Sequence, residues 1–429
     1  MDSQYTKTTL SNGLNLLTIP MPSVESVTVL VMVHVGSRNE TKNIRGLSHF
    51  LEHMPFKGTQ KYPTSLALSS AVDSVGAEFN AFTGKEYTGF YVKAAANHLE
   101  LCLDILSQLL FHPLIDEKEM EKEKGVIIEE INMYEDQPMA KIGLDFESLL
   151  YGNTALGWET VGTKQSIREM KRQNFIDYMN TWYRSDNMVI GIAGKVETQD
   201  LASLTEKYFN NKKFPAKNNY QRQVFSFSQK KPEILMRYKK TEQAHLCLGV
   251  RSYPLSDSRR YATALLASIL GGNMSSRLFM EVREKRGLAY YVRTSKDSYT
   301  DNGYFVTQAG TAINKSAETI KVILEQYMGI MNHELRIMGS ELTKAKEFFK
   351  GRLILGLEDS REVSQLYAED YLLEGNIRTP KEIIKNIEKI TLADLEKVAA
   401  DIFRPQNLNL TIIGPYKDKD RQAFEKILK

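Results

Sequence analysis

The 429-residue sequence contains very little cysteine and almost no net charge. Two cysteines exclude a disulfide framework and favour a reducing compartment. The formal net charge of +3 excludes the strongly basic balance that is typical of proteins bound to nucleic acid or to anionic membranes. Apolar residues make up 42% of the chain and charged residues 25%, as in a globular protein with a large core. We therefore expect a folded protein that binds neither nucleic acid nor membranes.

Long hydrophobic runs are also missing. The longest nearly apolar stretch, SVTVLVMVHV at 26–35, is too short to cross a bilayer and predicts a buried strand. The opening segment, MDSQYTKTTLSNG, is polar and lacks the apolar run of a secretory signal. Together these absences predict a soluble, cytoplasmic protein.

An internal repeat organises the chain. Residues 182–194 (WYRSDNMVIGIAG) and 402–414 (IFRPQNLNLTIIG) share Arg, Asn and Gly at one offset of 220 residues, and each block lies between two amphipathic helix patterns. A strand–helix pair near 27–54 recurs near 244–270 at a similar offset. Two unrelated units of similar pattern are the alternative. Duplication predicts two homologous domains, 1–215 and 233–429, joined by a polar linker at 216–232.

Each half places strands first, then helices, then a final strand, which predicts an α+β fold. We expect each domain to be a largely antiparallel sheet with helices packed on one face. The strands predicted in the first half are Leu14–Ile19, Val27–Val35, Glu78–Thr83, Gly89–Ala95 and Met188–Ala193.

Charge divides unevenly between the halves. Residues 1–215 carry 21 basic and 27 acidic side chains, a net charge of −6, whereas residues 216–429 carry 35 and 26, a net charge of +9. Opposite signs favour docking of the two halves, within one chain or between chains. A random distribution of surface charge explains the asymmetry equally well.

The segment His49–His53, HFLEH, has the spacing of a metal site. With only seven histidines in the chain, about 0.01 HxxEH matches are expected by chance. On a helix, His49 and His53 are one turn apart and offer two imidazoles to one metal ion. Glu52 lies on the same face, where it suits a general base acting on water. The alternative is a pair of core histidines beside a solvated glutamate.

A third ligand is predicted on a helix at Glu117–Asp136. Around the axis, Glu123 and Glu130 fall within about 60° of Ile127, on the apolar face, whereas Glu129 points to solvent. Two carboxylates on a buried face need a partner, and a metal provides one. We therefore predict Glu130 as a metal ligand and Glu123 as a carboxylate that orients a ligand imidazole.

These motifs resemble those of a known family. HFLEHMPFKGT, followed about 76 residues later by VIIEEINMYED, is similar to the pitrilysin/insulinase family of zinc endopeptidases, and in particular to its bacterial branch related to mitochondrial processing peptidase. The resemblance covers the whole chain. It implies one zinc ion per chain held by His49, His53 and Glu130. It also implies that Glu52 is the catalytic base and that Glu123 supports a ligand.

The second half cannot repeat the metal site, because the matching segment, SILGGNM at 268–274, has no histidine or glutamate. It carries Arg283 and Tyr290 instead, at a spacing of seven. They resemble the family's Arg/Tyr pair, which contacts the substrate and the tetrahedral intermediate. Guanidinium and phenol groups are suitable donors to an oxyanion. Read without the resemblance, the stretch is a basic helix end with buried aromatics.

A hairpin is predicted at 76–94. In the family, the matching first strand is an edge that pairs with extended substrate, so the resemblance implies peptide contacts at Asn80 and Ala81. An ordinary strand is the alternative for these two residues.

The sequence thus predicts a zinc metalloendopeptidase that hydrolyses peptides or unfolded segments within a closed chamber. The resemblance implies that one chain is half of a clamshell, and a chain with both the zinc set and the Arg/Tyr pair is expected to form a homodimer. A heterodimer with a zinc-free homologue is the other assembly. The rival function is a non-catalytic or partner-dependent subunit of a processing peptidase complex.

Overall fold

A computed structural model describes residues 5–197, 200–210 and 224–428 of the chain. It divides into two compact units, and each unit combines segments from both halves of the sequence. The first unit comprises Met1–Asn132, Trp158–Gln223 and Leu353–Glu382, and the second comprises Met133–Gly157, Val224–Arg352 and Ile383–Lys429.

The strands, numbered in chain order, are β1 Thr6–Thr9, β2 Asn15–Pro20, β3 Ser26–Val33, β4 Glu78–Thr83, β5 Thr88–Ala95, β6 Met188–Gly194, β7 Glu233–Tyr238, β8 Gln243–Ser252, β9 Ala289–Ser298, β10 Gly303–Ala312 and β11 Asn409–Gly414. The α-helices are α1 Leu47–His53, α2 Ser65–Asp73, α3 Leu99–Phe111, α4 Glu117–Asp136, α5 Pro138–Tyr151, α6 Lys164–Glu169, α7 Arg172–Trp182, α8 Leu201–Phe209, α9 Arg260–Gly271, α10 Ser316–Met331, α11 Gly339–Gly356, α12 Ser360–Glu374, α13 Pro380–Lys389, α14 Leu392–Ile402 and α15 Asp418–Ile427.

All five strands predicted in the first half are present as β2 to β6, with ends within two residues of the prediction. Seven of the eight residues of β3 are buried, which explains its nearly continuous apolar run. The prediction missed β1, because its sequence TKTT is fully exposed and has no apolar alternation.

The two sheets have the same topology. The first unit holds a six-stranded sheet in the order β1-β2-β6-β3-β5-β4, and the second holds a five-stranded sheet in the order β7-β11-β8-β10-β9. Apart from β1, the orders coincide when β7 is matched to β2 and β11 to β6. In each described sheet the pairing at this position is parallel and the other pairs are antiparallel. The predicted α+β class with largely antiparallel sheets is confirmed, and the shared topology agrees with duplication.

One helix in each unit comes from the other half of the sequence. In the first unit, α12 packs against β3 and β6. Its Tyr367 joins an apolar cluster with Leu30 and Val189, while α3 packs against β3 and β5. A side chain at Gly191 of β6 would place its Cβ 2.5 Å from Ser364 Oγ of α12, so this glycine permits the close approach. Helices therefore pack on more than one face of this sheet, whereas the sequence predicted helices on one face only.

The second unit has the corresponding arrangement with α5. This helix packs against β7, β8 and β11, while α9, α10 and α14 contribute to the core of the same unit. Asp145 of α5 is 2% exposed and accepts hydrogen bonds from Arg237 Nε and Nη2 at 2.6 and 2.8 Å. Such a charge-assisted pair ties α5 to β7 in one register.

The predicted linker at 216–232 lies partly outside the described residues, and its described part, 224–232, contains no helix or strand. Across the described ranges, we find no helix with the length and apolarity that a bilayer crossing requires.

Candidate metal centre

The short helix α1 carries the HxxEH segment. It begins after Gly46, whose φ of 88° lies in the left-handed region, and it ends just before Pro55. Leu47, Phe50 and Leu51 are fully buried and hold the helix against the core of the first unit. His49 and His53 face the same side, with ring centroids 4.7 Å apart, as a one-turn spacing requires.

Helix α4 places its carboxylates as its periodicity predicts. Ile127 is fully buried and Glu123 is 4% exposed, whereas Glu129 is exposed to solvent. The side chain of Glu130 is 22% exposed and faces the two histidines. One helix face therefore brings both Glu123 and Glu130 to α1.

Three ligand atoms converge between α1 and α4. His49 Nε2 lies 3.5 Å from Glu130 Oε2, and His53 Nε2 lies 4.0 Å from the same oxygen. All three residues offer ligand atoms within 4.8 Å of one another. Atoms about 2.0–2.2 Å from a tetrahedral Zn²⁺ ion are about 3.4 Å apart, so these separations suit zinc better than direct hydrogen bonds. The residues present therefore fit a zinc ion.

Glu123 holds His53 in the orientation that such a site needs. Its carboxylate lies 2.8 Å from His53 Nδ1 and 2.6 Å from Lys57 Nζ. Burial raises the pKa of Glu123, but the bonds to His53 and Lys57 outweigh burial and hold that pKa below its usual range. An ionised Glu123 accepts a hydrogen bond from His53 Nδ1–H, which leaves His53 Nε2 free to bind a metal. Lys57 was not predicted, although it lies one turn beyond His53.

A second buried carboxylate, Glu40, caps helix α1. Gly46 has no side chain to cap the helix, and Glu40 accepts the backbone N–H groups of Gly46 and Ser48 at 2.7 Å each. Burial raises the pKa of Glu40 to about 7, against the opposing effect of these two bonds. Sequence analysis did not find Glu40, because nothing in its spacing links it to α1.

Glu52 is half-buried and forms no hydrogen bond or ion pair within the described residues. Its carboxylate lies close enough to the buried hydroxyl of Tyr183 to affect it. Burial, followed by the charge of Glu52, raises the pKa of Tyr183 far above its usual value. An unengaged carboxylate on the helix that carries both histidines is available for proton transfer.

Asn80 and Ala81 lie on β4, an edge strand of the first sheet. The Ala81 N–H is bonded to Asn80 Oδ1 at 2.8 Å rather than to the neighbouring strand. Asn80 therefore covers a donor that faces the free edge. Main-chain donors at such an edge are the groups used in strand addition.

Arg283 and Tyr290 come together in the second unit. Arg283 lies in a π-helical segment, Phe279–Glu284, and its guanidinium carbon is 5.6 Å from the centroid of the Tyr290 ring. Tyr290 is 75% exposed. Both side chains are open to solvent. The alternative interpretation of this segment, a basic helix end with buried aromatic residues, is therefore wrong for Tyr290.

A β-bulge explains why Tyr290 projects from the sheet. Ala289 pairs with Thr311 and Tyr291 pairs with Gly310, which leaves Tyr290 as an extra residue between them. Bulges re-aim side chains beside functional sites. The sequence contains no signal for this bulge.

Comparison with known proteins identifies the family. The family Insulinase (Peptidase family M16) matches residues 16–164, and the family Peptidase M16 inactive domain matches residues 169–347. An uncharacterized zinc protease of Bacillus subtilis is 36% identical over 411 residues, covering 95% of this chain and 97% of that relative. This chain belongs to the M16 peptidase family. The resemblance to the insulinase family that the motifs indicate is confirmed.

Solved structures share the fold of this chain. A protease from Helicobacter pylori superposes with a TM-score of 0.91 at 24% identity, covering 96% of this chain and 100% of that chain. A chain of complex III2 from Candida albicans superposes with a TM-score of 0.84 at 19% identity, covering 98% and 99%. At these identities the likeness concerns the fold alone.

We expect Glu130→Gln to weaken zinc binding by more than about 100-fold, because it removes one of three ligands. Glu129→Gln is the matched control, since it removes the same charge from the adjacent, solvent-facing position. Competition against a chromophoric chelator measures both affinities. Equal losses in the two variants would contradict the assignment of Glu130.

We expect Glu40 to make stability fall as pH rises. Between its unfolded pKa of 4.5 and its folded pKa of about 7, the unfolded chain has lost a proton that the folded chain keeps. The free energy of unfolding therefore decreases over this window by roughly 3 kcal/mol, and Glu40→Gln abolishes that contribution. The urea midpoint of metal-free Glu40→Gln should therefore lie further below that of the metal-free wild type at pH 5 than at pH 8. An equal deficit at both values would refute the prediction.

Proposed function

We propose that this protein is a zinc metalloendopeptidase that cleaves peptides or unfolded polypeptide segments. The observation that carries the proposal is the convergence of His49, His53 and Glu130 at separations of 3.5 and 4.0 Å. Glu52 on the same helix face adds a free carboxylate. Membership of the M16 family, with a relative called a zinc protease, supports the same reading.

The residues divide the chemistry between them. A zinc ion bound here would supply Lewis acidity to a water molecule and to the scissile carbonyl. Glu52 accepts a proton from the water at its carboxylate and later delivers it to the leaving amine. Glu123 keeps its charge next to His53, so the ligand imidazole stays in one orientation throughout. Arg283 and Tyr290 donate hydrogen bonds to the developing oxyanion.

Peptide binding uses the free edge of β4. An extended substrate pairs with this strand, and one of its carbonyl groups takes the place of Asn80 Oδ1 on the Ala81 N–H. Because the contacts are made to the main chain, binding tolerates many sequences. This tolerance suits an endopeptidase acting on unfolded segments.

The active form is a homodimer that encloses the substrate in a chamber. The zinc ligands belong to the first unit, and Arg283 and Tyr290 belong to the second. The net charges of −6 and +9 on the two halves of the sequence favour contact between unlike halves of two chains. In this arrangement each site takes Glu52 from one chain and Tyr290 from the other.

The alternative is a non-catalytic or partner-dependent subunit of a processing peptidase complex, and the fold, which is also found in a chain of complex III2 from Candida albicans, does not discriminate between the two. A purely structural subunit has no need of three converging ligand atoms, or of the buried Glu123 that orients one of them. The complete ligand set therefore favours the peptidase. Zinc-dependent cleavage of an unstructured peptide by the purified chain decides between the two.

Glu52→Gln should retain zinc and the fold but lower kcat by about 10²- to 10⁴-fold, because a base is lost while both imidazoles remain. Zinc content is measured by atomic spectroscopy and cleavage with a quenched fluorescent peptide. Loss of zinc together with activity would instead make Glu52 a ligand.

Complementation tests the cross-chain site. Glu52→Gln and Tyr290→Phe chains are each expected to be nearly inactive alone. A purified heterodimer holds one site with both defects and one intact site, so about half of the wild-type activity should return. The phenylalanine variant keeps the ring and removes only the hydroxyl.

Subunit exchange is followed with two different affinity tags. A mixture of two Glu52→Gln preparations provides the control, because no pairing of those chains restores a site. Demonstrated exchange without any recovery would place both groups in the same chain and would refute the cross-chain arrangement.

A further inference from the structure

We propose that Arg293 forms a subsite for a carboxylate of the bound peptide. Arg293 is exposed on β9, the edge strand of the second sheet, three residues beyond Tyr290. The inference rests on the proposed peptidase function for the identity of the ligand. The geometry of Arg293 itself does not depend on that function.

Arg293 faces the same side of the sheet as Tyr290. Ala289 and Val292 both lie in the core cluster of the second unit, so the two residues between them, Tyr290 and Tyr291, both face away from that core. Such a pair is what a β-bulge produces. Since side chains alternate along the strand after Val292, Arg293 points away from the core as well.

A neutral amide holds the guanidinium. Gln308 Nε2 donates to the Met139 carbonyl at 2.7 Å and to the Tyr291 hydroxyl at 3.3 Å. These two bonds use both of its N–H groups, so Oε1 must face the other way. Gln308 Oε1 accepts Arg293 Nη2 at 2.7 Å and Nε at 3.2 Å. Arg293 is therefore oriented in advance by a partly buried network, in which Gln308 itself is 7% exposed.

The network carries no negative charge. The Tyr291 hydroxyl lies 2.9 Å from His245 Nδ1. Burial lowers the pKa of His245 and raises the pKa of Tyr291 to about 12, so both groups are uncharged at neutral pH. Within the described ranges, Arg293 has no carboxylate partner, whereas Arg237 and Arg277 of the same unit pair with acids.

An oriented, exposed and uncompensated guanidinium suits a carboxylate. Three residues of strand span about 10 Å, and an extended peptide covers this distance with about three residues of its own. With Tyr290 at the scissile carbonyl, the carboxylate is expected within about four residues of the cleaved bond. An acidic side chain or a free C-terminus supplies the same chemistry.

The experiment measures kcat/KM for pairs of capped peptides that differ only by Glu or Gln at one position. For the wild type with zinc, the Glu/Gln ratio should reach about 10 to 100 at one position near the cleaved bond. Arg293→Gln should bring this ratio close to one, and Arg293→Lys should give an intermediate value. Peptides without acidic residues, with a free or an amidated C-terminus, reveal whether the terminal carboxylate is the ligand.

Arg336→Gln is the matched control, because it removes one exposed arginine of the same unit that lies outside β9. This variant should keep the wild-type ratio. Thermal melting checks that Arg293→Gln remains folded. Fluorescence anisotropy of the same peptides with metal-free protein measures the Glu/Gln preference in binding alone.

The outcomes separate the two proposals. The carboxylate subsite is overturned if wild-type protein shows a Glu/Gln ratio near one at every position and cleaves peptides with a free and an amidated C-terminus equally well. It is also overturned if Arg293→Gln keeps the wild-type preference. If wild-type protein with zinc cleaves no peptide, the peptidase proposal fails. The anisotropy preference and its loss in Arg293→Gln then still decide whether Arg293 binds a carboxylate.

Discussion

The candidate site depends on two buried carboxylates that hold one short helix. Glu40 accepts hydrogen bonds from backbone N–H groups at the start of α1, and Glu123 accepts a hydrogen bond from His53 at its end. A buried carboxylate without such partners is strongly destabilising. Both acids are satisfied only when α1 occupies its observed place, so the positions of His49 and His53 are coupled to the folding of the first unit. A metal site needs this coupling, because ligand distances tolerate only a few tenths of an ångström.

Duplication has produced two sheets with one topology and different chemistry. Strands β4 and β9 occupy the same place in the two strand orders, and both are free edges of their sheets. In the first sheet this edge presents the main chain at Ala81, whereas in the second it presents the side chains of Tyr290 and Arg293. Under the proposed function, one copy binds the peptide backbone and the other reads its carbonyl and side chains.

Each half of the sequence contributes one helix to the other unit, α5 to the second unit and α12 to the first, and we call these the exchanged helices. They tie each unit to both halves of the sequence. Each exchanged helix is anchored by a specific contact as well as by apolar packing: Asp145 bonds to Arg237, and Ser360 lies 2.8 Å from the Thr28 hydroxyl. Removal of either half would therefore expose the face that the exchanged helix covers. We infer that the duplicated halves fold together rather than as independent domains.

The sequence by itself determined the features that depend on spacing within one element. The one-turn spacing of His49 and His53 and the choice of Glu130 over Glu129 follow from the regular geometry of helices, and the places of β2 to β6 follow from local runs of apolar residues. Only the tertiary structure decided which distant residues meet. The cap by Glu40, the bond from Lys57, the exchanged helices and the network behind Arg293 join residues whose separation along the chain has no period. Packing between elements sets these contacts, and packing leaves no repeating signal in a single sequence.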